Sequence, residues 1–326
     1  MRSARPSPQV PSDLLPPLPA RAPVAQSRGI ACLIASGAAF SSSDALSKVL
    51  TATYPTGEIL FFQAVCIVGA TLLGIRLRDG RQRQRRGRGA GAGAPLRVHD
   101  WRRQLVRGAI FVLNSFIFVT VLRYLPLADL MALLFLSPVL VTLMAPYLLG
   151  EQVGWRRYLA VAVGFGGTLL IVNPAGDPAE IWPMLLALVV PVFGSYRDIV
   201  TRQLARTDPP DATMLVTTCC LLVASAVTLP FAWVMPDAAG LGLLVVTGLL
   251  LGLGMYLQVY AFTLGEAAVV APFRYFILLW ATIYGFLLFG DIPGARTLVG
   301  AAIIVASGLY IFFREARHKR PAPASA

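Results

Sequence analysis

Long apolar runs of about twenty residues alternate along this chain with short polar connections, and most runs close on Pro, Gly or a charged residue. A helix needs roughly 20 apolar residues to cross the hydrocarbon core of a bilayer. The pattern therefore predicts ten spans, at 29–50, 56–77, 105–125, 127–149, 154–173, 181–204, 212–235, 240–264, 267–289 and 295–313. Pro55, Pro126, Pro174, Pro209, Pro210 and Pro236 punctuate the connections, since proline starts a helix readily and interrupts its interior. Residues 1–28, rich in Pro, Ser, Ala and Arg, carry too few large apolar side chains to fold and read as a disordered tail. The run that follows has no clean small-residue cleavage site and reads as a retained first helix.

Composition agrees: 56% of the 326 residues are hydrophobic and 13% charged, against roughly 25% charged in soluble proteins. The net charge of +12 is concentrated outside the apolar runs. It is densest in the connection 78–104, where Arg81, Arg83, Arg85, Arg86 and Arg88 precede Gly-Ala repeats, a pattern that reads as a solvated basic loop. Counting alternate sides of the ten spans places 23 Lys and Arg on one side and two, Arg123 and Arg296, on the other. That asymmetry predicts both termini in the cytoplasm, with residues 315–326 as a basic tail. Anionic lipid, rather than nucleic acid, accounts for the basic balance. Cys32, Cys66, Cys219 and Cys220 all lie in apolar runs without metal or redox spacing, and His99 and His318 lie in polar segments. No metal site and no cofactor is expected.

The chain also repeats itself. A shift of 140 residues lays Ala128, Thr142, Gly150 and Arg156 on Ala268, Thr282, Gly290 and Arg296, brings Gly108 onto Gly248, and sets Glu151 against Asp291. A shift of 154 lays Ser41, Asp44 and Lys48 on Ser195, Asp198 and Arg202. The repeats divide the chain into 29–173 and 174–314. Each holds five spans, an odd number, so the second is expected upside down relative to the first, as in secondary transporters with inverted repeats.

The stretch Arg123-Tyr-Leu-Pro-Leu-Ala-Asp129, with Phe135-Leu-Ser-Pro138, Leu148-Leu-Gly-Glu151 and Gly154-Trp-Arg-Arg-Tyr-Leu159, resembles the first half of an EamA-type transporter of the drug/metabolite transporter superfamily. Val269-Val-Ala-Pro-Phe-Arg-Tyr275, Leu279-Trp-Ala281 and Leu288-Phe-Gly-Asp291 are similar to its second half. The resemblance covers about residues 29–314. It implies an all-α integral membrane protein of ten helices around a central cavity lined by spans 1, 3, 4, 6, 8 and 9. It also implies a secondary carrier of a small organic metabolite in the inner membrane, working by alternating access on a proton or exchange gradient. Within that family the chain resembles the S-adenosylmethionine-carrier subgroup, with Gln63 where relatives carry Arg and Arg274 where they carry Glu. An acid lost and a guanidinium gained disfavour a cationic cargo.

Arg274 is a candidate anchor for a carboxylate or phosphate, or the partner of Asp44 or Asp198 in an internal ion pair. Tyr275, Asn114, Tyr256, Gln258 and Trp280 are further candidates for cargo contact, although polar and aromatic groups in spans also serve packing. Asp44 with Lys48, and Asp198 with Arg202, share helix faces at i,i+4 and are candidates for gating or ion coupling. Two other readings are a membrane scaffold or sensor without transport, and an intramembrane enzyme. The enzyme would need convergent acids, bases or metal ligands within the spans, and the sequence offers no such cluster.

Overall fold

The computed structural model describes residues 23–86, 98–149, 154–173, 178–204, 207–264 and 267–318. Their secondary structure is helical throughout: α1 (Pro23–Leu50), α2 (Thr56–Arg86), α3 (Trp101–Leu122), α4 (Leu127–Leu134), α5 (Ser137–Leu149), α6 (Trp155–Val172), α7 (Pro178–Leu204), α8 (Pro210–Thr228), α9 (Ala238–Leu264), α10 (Ala267–Val270), a 3-10 turn (Ala271–Tyr275), α11 (Phe276–Phe289) and α12 (Ala295–His318). Within them lie ten stretches long and apolar enough to cross a membrane. Helices suit that setting because each satisfies its own backbone hydrogen bonds where no water is at hand.

The main departures from the sequence pattern have local reasons. Helix α1 begins at Pro23 rather than Gly29, with the proline at the first turn, where its missing N–H costs nothing. Helix α2 continues to Arg86, nine residues beyond the predicted end, because the Arg and Gln residues after the apolar run are themselves good helix formers. The connection 78–104 is thus helical in its first part. Residues 87–97, including Arg88 and the Gly-Ala repeats, lie outside the described residues. Helix α8 stops at Thr228, and Pro230 and Pro236 hold 229–237 as an irregular connection. The fourth and ninth spans are not continuous helices. The fourth breaks between α4 and α5 at Phe135 and Leu136, just ahead of Pro138, and the ninth enters through the 3-10 turn that carries Pro272.

Helix α1 packs along α9, α3 along α7, α2 and α3 along α8, and α6 along α12. Small residues permit these approaches, as expected where lipid is as apolar as the helices and association rests on close packing. A Cβ at Gly248 would sit 2.7 Å from the Cβ of Cys66, and one at Gly108 would sit 2.6 Å from the Sγ of Cys220. Gly248 and Gly108 are 140 residues apart, Cys220 and Cys66 are 154 apart. Helices α6 and α12 cross in the same reciprocal way. A Cβ at Gly167 would meet the Gly300 carbonyl at 2.8 Å, while Ser307 Oγ donates to the Ala160 carbonyl at 2.5 Å. Gly167 and Ser307, like Ala160 and Gly300, are 140 apart.

Two ends can be told apart. At the arginine-rich end the His99 N–H donates to Asp208 Oδ1 at 2.9 Å and Gln104 Nε2 to Asp208 Oδ2 at 2.8 Å, tying the start of α3 to the start of α8. At the opposite end the Tyr54 hydroxyl donates to Asp237 Oδ1 at 3.3 Å and the Val234 N–H to Glu58 Oε2 at 3.1 Å. One apolar cluster includes Leu122, Leu127, Leu130, Leu133, Ala281 and Ile304, gathering the end of α3 with α4, α11 and α12.

Candidate functional site

The two interrupted spans cross at their irregular positions. Pro138 and Pro272 each lack the N–H that would extend a regular ladder, so the chain bends in both. Beside these bends the rings of Phe135 and Tyr275 lie 4.6 Å apart between centroids. The two residues are themselves 140 apart in sequence. On the opposite-end side of the crossing α4 packs against α11, whereas on the arginine-rich side α5 packs against α7 and α6. Tyr275 is also enclosed by α12: a Cβ at Gly308 would run into its hydroxyl. Arg274, one residue before Tyr275, is exposed. Among the described residues no ion pair joins it to Asp44 or Asp198, so the predicted internal salt bridge is absent there.

The opposite end is fastened above this crossing. Lys48 Nζ donates to the Leu125 carbonyl at 2.9 Å and to Asp291 Oδ2 at 3.1 Å, and stands 4.6 Å from the centre of the Phe289 ring. The Lys48 and Asp291 side chains are only 14% and 30% exposed. Arg123 adds hydrogen bonds to the Thr51 carbonyl. The i,i+4 partners Asp44 and Lys48, read as gating candidates, do not bond each other here. Lys48 spans to the second half rather than bonding Asp44 four residues back, because Asp291 and a free carbonyl together offer two acceptors. Asp44, partly buried, has no hydrogen bond or ion pair among the described residues.

The second pair behaves in the same way. Asp198 Oδ1 accepts from Arg197 Nε at 3.2 Å and Nη2 at 2.9 Å, and Arg202 is exposed. The exposed apolar residues Trp182, Leu185 and Val192 mark one side of α7, and at 100° per residue Asp198 lies roughly opposite them. Its carboxylate, 39% exposed, and Arg197, 25% exposed, thus look toward the inside of the bundle. The Arg197 guanidinium also lies 5.8 Å from the Phe111 ring. Arg107, counted from the sequence with the basic loop, stands inside the bundle. Its Nε donates to Thr201 Oγ1 at 2.7 Å and its Nη1 to Thr217 Oγ1 and the Thr213 carbonyl.

The remaining candidates separate. Asn114 is partly buried on α3, and its Oδ1 is buried without a hydrogen-bond partner, an arrangement that a ligand or water normally completes. Gln258 is partly buried on α9. Trp280 donates its indole N–H to the Ile34 carbonyl of α1 at 3.2 Å and stacks on Tyr284, so it braces α11 against α1. Tyr256 is 65% exposed and stacks on Tyr260 along a face shared with Leu249 and Leu253. That face is turned away from α1, which Gly254 meets through Phe40. Tyr256 therefore does not face α1, while Trp280 does. A cavity of about 500 Å³ at the opposite end, lined by Asp129, Asn173, Met184, Arg296 and Thr297 among others, lies away from the crossing. Among the described residues no group of three or more His, Cys, Asp or Glu is placed to hold a metal.

Asp291, Phe135 and Arg107 were not predicted as functional residues. The first two did carry a signal, since the 140-residue shift sets Asp291 against Glu151 and Phe135 against Tyr275.

Comparison with known proteins places this arrangement. The EamA-like transporter family matches residues 27–173 and 181–313. A riboflavin transporter of Rhizobium johnstonii is 31% identical over 229 residues, 70% of this chain and 75% of its own. The pseudopaline exporter of Pseudomonas aeruginosa is 28% identical over 86% of this chain and 94% of its own. The S-adenosylmethionine uptake transporter of Rickettsia felis is 25% identical over 88% and 93%. A solved crystal structure at 18% identity superposes with a TM-score of 0.59, covering 90% of this chain and 98% of its own, and shows the fold alone.

Proposed function

Because the chain belongs to the EamA-like transporter family, and so is a multi-pass membrane transporter of a small metabolite and no enzyme, we propose that its cargo passes between two inverted five-helix halves, 29–173 and 174–314. Alternating access opens the bundle to one side at a time. The observation that carries this reading is the Phe135–Tyr275 ring contact. A contact between residues one repeat apart is what a two-fold relation produces at its axis, and inverted-repeat carriers place their cargo beside interrupted helices at the repeat interface. The reciprocal contacts of Gly108 with Cys220 and Gly248 with Cys66 support the same relation.

The arginine-rich end faces the cytoplasm, with both termini, in accord with the 23-to-2 distribution of basic residues. The mouth at the opposite end is then the outer one, and the Lys48–Asp291 pair holds it shut in this conformation. Cysteines introduced at Ile292 and Thr207, both exposed, test the orientation once native cysteines are removed. An impermeant thiol reagent added to intact cells reacts at 292 only; reaction at 207 alone reverses the assignment.

The cargo is an organic metabolite without net positive charge. Arg274 stands open to approach, Arg197 stays 25% exposed while bonded to Asp198, and Asn114 offers an unpaired amide oxygen, while Tyr275 supplies a ring. The relatives named as riboflavin transporters make riboflavin the first probe and S-adenosylmethionine the contrasting cation. In liposomes holding purified protein, riboflavin exchanges and S-adenosylmethionine does not. Arg274→Gln reduces exchange while leaving protein levels near normal. Movement of the cation alone, or an unaffected Arg274→Gln variant, removes the charge reading.

A further inference from the structure

Lys48 holds one carboxylate and stands one helical turn from another that is vacant. Its Nζ reaches from α1, in the first half, to Asp291 just past α11, in the second half, while also donating to the Leu125 carbonyl between α3 and α4. Any motion that parts α1 and the α3–α4 connection from the end of α11 must break the bond to Asp291. The ammonium then needs another anion, since a cation stranded in a membrane-embedded bundle is costly. Asp44 lies four residues earlier on the same face of α1, with the acid N-terminal to the lysine, the favourable order for an i,i+4 pair. It has no hydrogen bond or ion pair among the described residues.

We propose that Lys48 is a transport residue that exchanges partners, holding Asp291 while the outer mouth is shut and Asp44 while it is open. This rests on the alternating-access reading above and adds to it a role for Asp291. The groups facing Lys48 are the Leu125 carbonyl, the Phe289 ring, Asp291 and, along its own helix, Asp44. The exchange lets the mouth open without leaving a charge unpaired in either state. Removing Asp291 therefore weakens the closed state, and removing Asp44 weakens the open one.

A reporter cysteine at Leu125, a side chain 4% exposed in the closed mouth, reads the equilibrium in protein free of native cysteines. Its carbonyl still accepts from Lys48. The probe is a membrane-impermeant maleimide, with riboflavin exchange measured in parallel. Asp291→Asn raises the labelling rate severalfold. Asp44→Asn lowers labelling and slows riboflavin exchange. Lys48→Asp with Asp291→Lys restores protection of the reporter, yet transport stays low because the acid introduced at position 48 faces Asp44; adding Asp44→Lys recovers transport. The swapped variants keep the pairing that folding needs, so they answer even where a single neutralisation fails to reach the membrane. An Asp291→Asn variant that labels like the parent overturns the clasp. An Asp44→Asn variant with unchanged labelling and exchange overturns the partner exchange. Labelling needs no cargo, so labelling that responds as stated in a protein that moves no solute keeps the clasp and defeats the transport reading instead.

Discussion

Ser43, Ser47, Gln63 and Thr247 form a polar knot nearer the opposite end of the bundle, and Arg197, Thr201, Thr217 and Arg107 form another nearer the arginine-rich end. The members correspond one for one: the first three pairs are 154 residues apart and the fourth 140. Ser47 Oγ donates to the Ser43 carbonyl as Thr201 Oγ1 donates to that of Arg197, both at 2.7 Å. Gln63 reaches Ser47 at 2.9 Å and Ser43 reaches the Thr247 carbonyl at 2.9 Å. In the second knot Arg107 alone links Thr201 and Thr217. The first knot is dry, with Ser43 and Thr247 fully buried. The second carries two guanidinium groups and the single carboxylate of Asp198, and its arginines stay partly exposed. Neutral hydroxyls and an amide satisfy one another without water, whereas guanidinium must keep water or an anion in reach. Residues at matching sequence shifts therefore make a buried neutral joint at one end and a partly exposed cationic cluster at the other.

The harshest way to break this contrast is to put the charge in the wrong knot. Thr247→Arg buries a guanidinium with no carboxylate beside it, a cost of at least about 2.5–3.5 kcal/mol on insertion scales. Protein is expected to be lost from the membrane fraction, while Arg107→Thr, the reverse exchange, accumulates normally. Equal accumulation of the two variants would mean that the first knot is not sealed.

A smaller effect separates the glycines beside the knots. Alanine at 248 meets the Cβ of Cys66 at 2.7 Å and the backbone at Gln63 at 3.1 Å, atoms that move only with their helix. Alanine at 108 meets the Cys220 Sγ, the end of a side chain that can rotate, and its Cβ only at the looser 3.1 Å. Gly248→Ala should cost about 1–3 kcal/mol, in the range of overpacked cores, and lower the thermal midpoint in detergent more than Gly108→Ala. The opposite ranking would show that the sealed half yields more easily.

The smallest differences lie in the pH response of the end clasps, both outside the spans. At Asp208 burial pushes the carboxyl up, but the Gln104 amide, the backbone N–H groups of His99 and Asp100 and the nearby His99 together hold it below its ordinary 3.8. A depressed carboxylate gives stability that is complete above that value and lost as pH falls through the folded one. Tyr54 is shifted the other way, by burial first and then by the Asp237 carboxylate, so its hydroxyl titrates above the ordinary 10.0. Its contribution is complete below pH 10.0 and lost as pH rises toward the folded value. Asp208→Asn should flatten the acid limb of a stability–pH curve and Tyr54→Phe the alkaline limb. A variant that flattens the other limb would reverse the assignment.

Much of this is legible in the residue order alone. Ten spans, the basic side and the two shifts follow from residue order, because apolar length and period are local properties. Asn114 was chosen on residue type and proves to hold an unpaired buried oxygen. The two charge pairs were read as gating candidates on i,i+4 spacing alone, which is all that a linear pattern can offer. Lys48 found a better partner 243 residues away, and Asp198 bonded its neighbour Arg197. Tyr256 lies on the outward side of α9, which the sequence did not show because residue type does not say which side of a helix faces a neighbour.

The sequence by itself determined that this chain is an all-helical membrane protein of ten apolar stretches, with a charge asymmetry and matched residues at shifts of 140 and 154, since each of these is written in the order of residues along the chain. Only the tertiary structure decided where the fourth and ninth spans break and meet, which end is clasped, and which carboxylate each cation holds. Those outcomes depend on distances between segments far apart in sequence. There the competition among acceptors for a charge in a poorly hydrated bundle is settled by whichever groups the packing of glycines and rings brings within about 3 Å.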